Sequence, residues 1–371
     1  MKIIICGNYG ATNIGDELIL KGILKYIDLK IHEVRVLSAD PKSTKLMHGV
    51  RSLRLMPSGP KSLIKGILKL SLLRTLSGIK NCDLFIFGGG GLFDDSNPRA
   101  AIIWGIQALT AYICKKPVFI MAQSFGPLKT TLTKIITRAV CNYAKFITVR
   151  DENSKLELEK LGINKAKTKV KVTADPAFYL DEKNLLKNPS EDKTQIIKHK
   201  YVLVVLRQGL SQVQIKALSD TFDKIHSKYG LHIVFLPFHN VNPDDSLAYA
   251  PFLNKKFVQR LDYTGNFTYI YELIKGSEAI IGMRLHSLIL SILAEKPFLA
   301  LSSFNKVKDL LSYADLSESF VDLKGLTVEK MCKKYDDLVK NKFSNMTKIS
   351  KAKANLSQKS VANKILLTKL M

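Results

Sequence analysis

The sequence predicts an α/β protein of two domains, each built on a mainly parallel sheet. Three observations predict it. Short apolar runs alternate with longer segments of helical spacing. That rhythm is interrupted once by a charged stretch and then restarts. The 371 residues suit two domains at roughly 150 residues each.

In the first half, Ile3–Cys6, Val34–Leu37, Leu84–Phe87, Val118–Met121 and Phe146–Val149 read as buried strands. Asp16–Leu29, Pro98–Cys114, Lys129–Ala144 and Glu152–Leu161 read as the helices between and after them. Asp181–Lys200 breaks the pattern with nine charges and Pro189, and reads as a linker. The pattern resumes with strands at Tyr201–Leu206, His232–Leu236, Ala279–Ile281 and Phe298–Leu301. Helices at Gln212–Tyr229, Asn266–Lys275 and Leu285–Ala294 lie among them. Two such domains are expected to form a cleft, the usual place for ligands.

Hydrophobic residues at 46% and charged residues at 24% exclude wholesale disorder and collagen-like structure. A chain this long buries enough surface to fold without disulfides. The outlying property is charge: 57 Lys+Arg against 32 Asp+Glu give +25, so anions are the expected partners. Phosphorylated small molecules, anionic lipid and nucleic acid all qualify. The five cysteines are scattered, which reads as buried thiols in a reducing compartment. The opening apolar run stops at Gly7 and is too short for a signal peptide, and no stretch approaches ~18 apolar residues. A cytoplasmic location is the expectation.

Two segments carry no acid: Pro41–Cys82, with nine Lys/Arg, and Leu338–Met371, with eight Lys. Within the first, Lys61–Lys80 has the spacing of an amphipathic basic helix. It reads either as docking on an anionic membrane surface or as packing on its own domain with a solvated basic face. The second reads as a solvated terminal helix.

Candidate chemistry sits where strands end. Gly7–Glu17 follows the first strand and opens a helix. Its glycines and helix start suit an anion or a sugar hydroxyl, with Asp16 either a ligand group or an N-cap. It lacks dinucleotide or P-loop spacing. Gly88, Gly89, Gly90 and Gly91 end another strand, followed by Asp94 and Asp95, which suit sugar hydroxyls or a turn and cap. Arg284 and His286 follow strand Ala279–Ile281; Arg offers a planar fork for carboxylate or phosphate, and His exchanges protons near neutrality. Arg150, Arg207 and Lys306 obey the same placement, so four cations at four strand ends suggest one assembled anion site. His239, Asp244 and Asp245 form a weaker cluster, and no metal-ligand spacing is present.

Seven segments together resemble the polysaccharide pyruvyl transferases: Gly7–Glu17, Phe87–Phe93, Gln123–Leu128, Val149–Ser154, Ala174–Phe178, Gly282–Ser287 and Asn305–Val307. The resemblance implies two Rossmann-like domains facing a cleft, as in GT-B glycosyltransferases, with a helical C-terminal tail. Residues 1–180 would form the acceptor side, 181–200 the linker, 201–340 the phosphoenolpyruvate side and 341–371 the basic tail. It implies pyruvate transfer from phosphoenolpyruvate, without a further cofactor or metal. The acceptor would be a sugar of a bacterial polysaccharide or cell-wall precursor, often lipid-linked in that family. Arg284, Arg207 and Lys306 would line the donor site with His286 as acid, and Arg150 would reach phosphate. Asn13, Gly15, Asp16, the glycine loop and Asp94 would face the acceptor, with Asp16 the candidate base. A nucleotide-sugar glycosyltransferase of the same architecture is the enzyme rival. A nucleic-acid partner is not expected: aromatics are 8% and no such motif appears.

Overall fold

Runs such as Leu84–Phe87 and Tyr201–Val205 are apolar at every position because helices cover both faces of their sheets, and each of these residues is buried. The computed structural model describes residues 1–95, 99–163, 170–186, 197–241 and 244–371, with only the backbone at Lys65. In chain order the elements are β1 (Lys2–Cys6), α1 (Ile14–Lys25), β2 (Glu33–Ser38), α2 (Pro41–His48), β3 (Arg51–Arg54), α3 (Pro60–Leu68), α4 (Ser71–Lys80), β4 (Leu84–Phe87) and β5 (Gly90–Phe93). Then come α5 (Ala100–Ile113), β6 (Val118–Phe125), α6 (Thr131–Tyr143), β7 (Phe146–Val149), α7 (Glu152–Lys160), β8 (Val170–Val172) and α8 (Glu182–Leu185). The remainder are β9 (Tyr201–Val205), α9 (Gln212–Tyr229), β10 (His232–Phe235), β11 (Val258–Arg260), α10 (Phe267–Gly276), β12 (Ala279–Gly282), α11 (Leu285–Leu293), β13 (Phe298–Ser302), α12 (Asn305–Tyr313), β14 (Phe320–Asp322), α13 (Val328–Lys340) and α14 (Lys342–Thr368).

These fold into two units: Met1–Ala11, Asp16–Tyr179 and Leu356–Met371 in the first, Thr12–Gly15 and Leu180–Asn355 in the second. The first holds a parallel sheet ordered β3-β2-β1-β4-β6-β7-β8, with β5 also on β6. Ile4, Phe85, Phe87 and Ile120 face a layer that includes Ile79 of α4, Trp104 and Ala108 of α5 and Val140 of α6. Ile3, Ile5, Ile86 and Met121 face Ile19 and Ile23 of α1 and Leu367 of α14. The second unit's parallel sheet runs β11-β10-β9-β12-β13-β14. Val202, Val204 and Phe235 pack there on Leu218 and Phe222 of α9 and on Met331 and Tyr335 of α13.

Three expectations change. Lys61–Lys80 is not one helix. Leu70 takes a left-handed conformation (φ 54°), which ends α3 and starts α4 as a new helix. The stretch read as a linker begins inside the second unit. The Asp181 carboxylate caps α8 through the Asn184 N–H (2.7 Å), and the Thr268 hydroxyl donates to the Leu185 carbonyl (2.9 Å). Residues 187–196 of that stretch lie outside the described residues, as does Pro98 at the expected start of α5. The terminal helix is not simply solvated. Its Ile349, Ala352, Leu356, Ser360, Asn363 and Leu367 form a buried stripe, and Lys342 and Lys353 pair with Glu278 (2.9 Å) and Glu295 (2.7 Å). Among the described residues, no helix is long and apolar enough to cross a membrane.

Candidate active site

Neighbouring strands β10, β9, β12 and β13 run parallel, so all four release the chain at one edge of the second sheet. That carboxyl edge is where open α/β sheets bind ligands. β9 delivers Arg207, β10 delivers His239 and Asp245, β12 delivers Arg284 and His286, and β13 delivers Phe304 and Lys306.

Arg284 is held as a fork. Its Nε donates to Asp245 Oδ2 (3.0 Å) and its Nη2 to Oδ1. Asp245 is 1% exposed and Arg284 21%, so a buried carboxylate fixes a guanidinium that still reaches the surface. Asp245 is itself fixed by the Phe238 N–H (3.2 Å). The Arg207 guanidinium lies over the Phe304 ring, 4.8 Å from its centroid. Burial, then the neighbouring positive charge of Arg284, pull the Arg207 pKa down, and Asp245 opposes them. Two guanidiniums thus sit within electrostatic reach of each other with one buried carboxylate between their charges and bulk neutrality. An anion relieves that repulsion. Lys306 stands half-buried in the first turn of α12.

The turn carrying His286 is tight. The Ser287 hydroxyl donates to the Arg284 carbonyl (2.6 Å), and a Cβ on Gly282 would lie 2.5 Å from Ser287 Oγ. The His286 imidazole lies directly against Gly15, where a Cβ would meet Nδ1 at 2.2 Å. Gly15 is placed by its own loop. The Asn13 side chain accepts from the Gly15 N–H (3.1 Å), the Ile14 N–H donates to the Phe238 carbonyl (3.0 Å), and the Asn13 backbone pairs antiparallel with His239. Asn13, not Asp16, therefore caps α1. Asn13, Gly15 and His286 come together; sequence reasoning had put the first two on the acceptor side and the third on the donor side.

The first sheet has its own carboxyl edge, carrying the rest of the glycine-rich segments. Asp16 accepts from the Asn8 amide (2.8 Å). Burial, followed by the Asp16 carboxylate, pushes the Tyr9 phenol well above its ordinary range, because that ring is fully enclosed against Gly7 and Gly88. A Cβ on Gly88 would fall 1.9 Å from the Tyr9 hydroxyl, and one on Gly89 3.0 Å from the Ala122 carbonyl. Gly90 has φ +107°. Packing and backbone geometry thus account for these three glycines, and the Gln123 amide donates to the Gly88 carbonyl. Gly91 is exposed and Asp94 is buried. Asp95 is spent on α6: burial raises its carboxyl, but the Thr133 hydroxyl (2.5 Å) and the Thr130 N–H (2.8 Å) outweigh that and hold it below the ordinary range.

Arg150 follows β7, a strand of the first sheet, whereas Arg207, Arg284 and Lys306 follow strands of the second. It belongs to the first unit, where its Nη1 donates to Asp175 (2.9 Å) and Asp151 lies 4.0 Å away, with its side chain 9% exposed. The expected set of four cations is three at one edge and one on the other sheet. Sequence reasoning undervalued Asp245, whose doubled-acid setting after β10 was its one visible signal. It missed Phe304 and the buried pair His48 Nε2–Glu17 Oε2 (2.8 Å), which anchors the first loop through the Gly10 N–H on Glu17 (2.6 Å). Among the described residues, no group of three His, Cys, Asp or Glu is arranged to hold a metal ion.

Residues 13–303 match the polysaccharide pyruvyl transferase family. The chain belongs to that family. The matched span holds Asn13, Asp16, Arg207, Arg284 and His286 and stops just short of Lys306. Among characterised relatives, this pyruvyl transferase is 23% identical to the amylovoran biosynthesis protein AmsJ of Erwinia amylovora, over 92% of both chains. Its fold is GT-B-like. It resembles the UDP-GlcNAc 2-epimerase of Methanocaldococcus jannaschii (TM-score 0.68, 16% identity, 99% of this chain and 100% of that one). It also resembles Anabaena Alr3699/HepE, solved with UDP-glucose (TM-score 0.64, 14% identity, 100% and 98%).

Proposed function

We propose that this pyruvyl transferase takes pyruvate from phosphoenolpyruvate and places it on a sugar as a cyclic ketal, the acceptor being a precursor of a bacterial polysaccharide or cell-wall polymer. The observation that carries the reading is the Arg207–Arg284 pair beside His286 at one sheet edge. Phosphoenolpyruvate presents a carboxylate and a phosphate on one small carbon frame, and two guanidiniums with a nearby ammonium match that pair of anions. Lys306 supplies the ammonium.

In this reading His286 delivers a proton to the methylene carbon, C3, making C2 electrophilic. One acceptor hydroxyl bonds to C2; a second hydroxyl then bonds there as the C2–O bond to phosphate breaks. Of the two hydroxyl protons, one balances the proton gained at C3 and the other leaves with phosphate. Arg207, Arg284 and Lys306 stabilise the charge gathering on the departing phosphate. Asp16 is assigned to the acceptor, as the carboxylate that orients a hydroxyl or takes its proton.

The test is incubation with phosphoenolpyruvate and a panel of sugar acceptors, following free phosphate together with mass spectrometry of the acceptor. Phosphate release matched by an adduct equal to pyruvic acid less water is expected. Turnover of a UDP- or GDP-sugar, with phosphoenolpyruvate untouched, would sink the donor assignment.

A further inference from the structure

The surface of the first unit over α3, α4, α5 and α6 carries a property the transfer reaction does not use. Amphipathic helices of a folded domain normally turn their apolar stripe inward. Here α3 and α4 turn much of it outward: Leu63, Ile64, Ile67, Leu68, Leu70 and Leu73 are all exposed, Leu68 to 78%. The two helices pack on each other, α4 packs on α5, and α5 packs on α6. The apolar surface continues along them: Ile102, Leu109 and Ile113 mark one exposed stripe of α5, and Leu132 and Ile135 stand out on α6. A contiguous exposed apolar surface of this kind marks an interaction site.

Its charge selects the partner. Residues 41–150 contain 17 Lys/Arg, three Asp and no Glu. Of those three acids, Asp94 is buried, Asp83 accepts from the Lys2 N–H (2.7 Å) and Asp95 is bound into the start of α6. The helices therefore present aliphatic side chains among cations such as Lys61, Lys69 and Arg74 in a segment that carries few acids of its own. A second copy meeting this face through two-fold symmetry would set cation against cation. A nucleic acid would call for stacking aromatics, and residues 60–80 contain none.

We infer that the α3–α6 face docks on a bilayer bearing anionic lipid, with the leucine and isoleucine side chains of α3 and α4 entering the headgroup–acyl boundary and their lysines held at the phosphate level. The inference stands apart from the transfer reaction, since docking needs neither donor nor acceptor.

The experiment is flotation of the full chain with phosphatidylcholine vesicles with and without phosphatidylglycerol. Binding is expected with phosphatidylglycerol, weakened by salt and falling at least about tenfold in its absence. Ile64→Ser/Leu68→Ser and, separately, Lys61→Glu/Lys69→Glu should each lower partitioning by about tenfold or more, with melting temperatures unchanged because these side chains are exposed. If the first double variant melts early, Leu68→Ser alone takes its place. Absence of flotation with phosphatidylglycerol would overturn the inference, as would variants that bind like the parent. So would concentration-dependent self-association that Ile64→Ser/Leu68→Ser abolishes, because the face would then be covered by a second copy.

Discussion

Gly15 and Asp245 act on the candidate site through their neighbours, and each has a signature of its own. A methyl group at position 15 would collide with the imidazole of His286, whose Nδ1 lies 2.2 Å from the ideal Cβ. The ring must move, and misplacing a reacting group by about 1 Å can cost 10²-fold. Gly15→Ala should therefore copy His286→Ala: kcat down by roughly 10²–10⁴-fold with the KM for phosphoenolpyruvate changed little. Steady-state kinetics with varied donor checks this, and near-parental kcat in both variants would remove His286 from the chemistry. Asp245 makes its own prediction. It is buried, and its loss leaves Arg284 beside Arg207 without a counter-charge. Breaking such a pair from one side costs about 3–5 kcal/mol at full burial, less here because Arg284 is partly exposed. In a urea-denaturation cycle of Asp245→Ala, Arg284→Ala and the double variant, the double should be far less destabilised than the sum, with a coupling of about 1.5 kcal/mol or more. Simple additivity would mean the two side chains do not depend on each other.

At the scale of elements, α14 makes the sharpest prediction because its buried stripe is partly polar. Asn363 accepts from the hydroxyls of Thr148 (2.7 Å) and Thr173 (3.0 Å) and donates to the Ala174 carbonyl (3.0 Å), all within the first unit. Asn363→Ala removes three buried hydrogen bonds, although the Thr173 hydroxyl keeps the Val149 carbonyl (3.2 Å) and the Thr148 hydroxyl keeps the Ala122 N–H (2.7 Å), so a loss of about 2–3 kcal/mol is expected from urea midpoints at unchanged m-value. A loss below about 1 kcal/mol would show that water or relaxation satisfies them. The same polarity explains why this helix reads as solvated from its composition. Ser360 and Asn363 occupy core positions, so hydrophobicity alone conceals the stripe. The central strands were legible because a parallel sheet covered on both faces demands unbroken apolar runs, as in β4 and β9. The edge strands β3 (RSLR), β8 (VKV) and β11 (VQR) were not, since three or four residues with charges among them carry no periodic signal. The break at Leu70 was hidden too, since leucine does not announce a left-handed conformation. At the candidate site, the strand-end rule placed Arg207, Arg284 and His286 after strands that prove to be neighbours in the second sheet. It could not foresee that Arg150 pairs with Asp175, 25 residues further along the chain.

For the whole molecule, neither the net charge of +25 nor a GT-B-like fold selects the donor. Most of the charge lies in two acid-poor segments, residues 41–150 and 338–371, rather than around the candidate site, and solved proteins of similar fold include complexes with UDP-glucose and with UDP-GlcNAc. Selection rests on the local cations, and binding should register as stability of the fold that presents them. A ligand at 100 times its Kd stabilises by about 2.7 kcal/mol, and in a cooperative unit of about 150–250 residues each kcal/mol raises Tm by about 2–4 °C. Phosphoenolpyruvate should therefore raise Tm by about 5–10 °C, while UDP-glucose at equal concentration should leave it near baseline. Arg207→Ala is the cleaner control. Its guanidinium rests on Phe304, whereas removing Arg284 would also strand Asp245 and lower the baseline melt. In Arg207→Ala the phosphoenolpyruvate shift should largely vanish with the ligand-free Tm close to the parent's. A larger shift with UDP-glucose than with phosphoenolpyruvate would assign the second unit's cations to a diphosphate. The donor proposed here would then be wrong, while the family and the fold would stand.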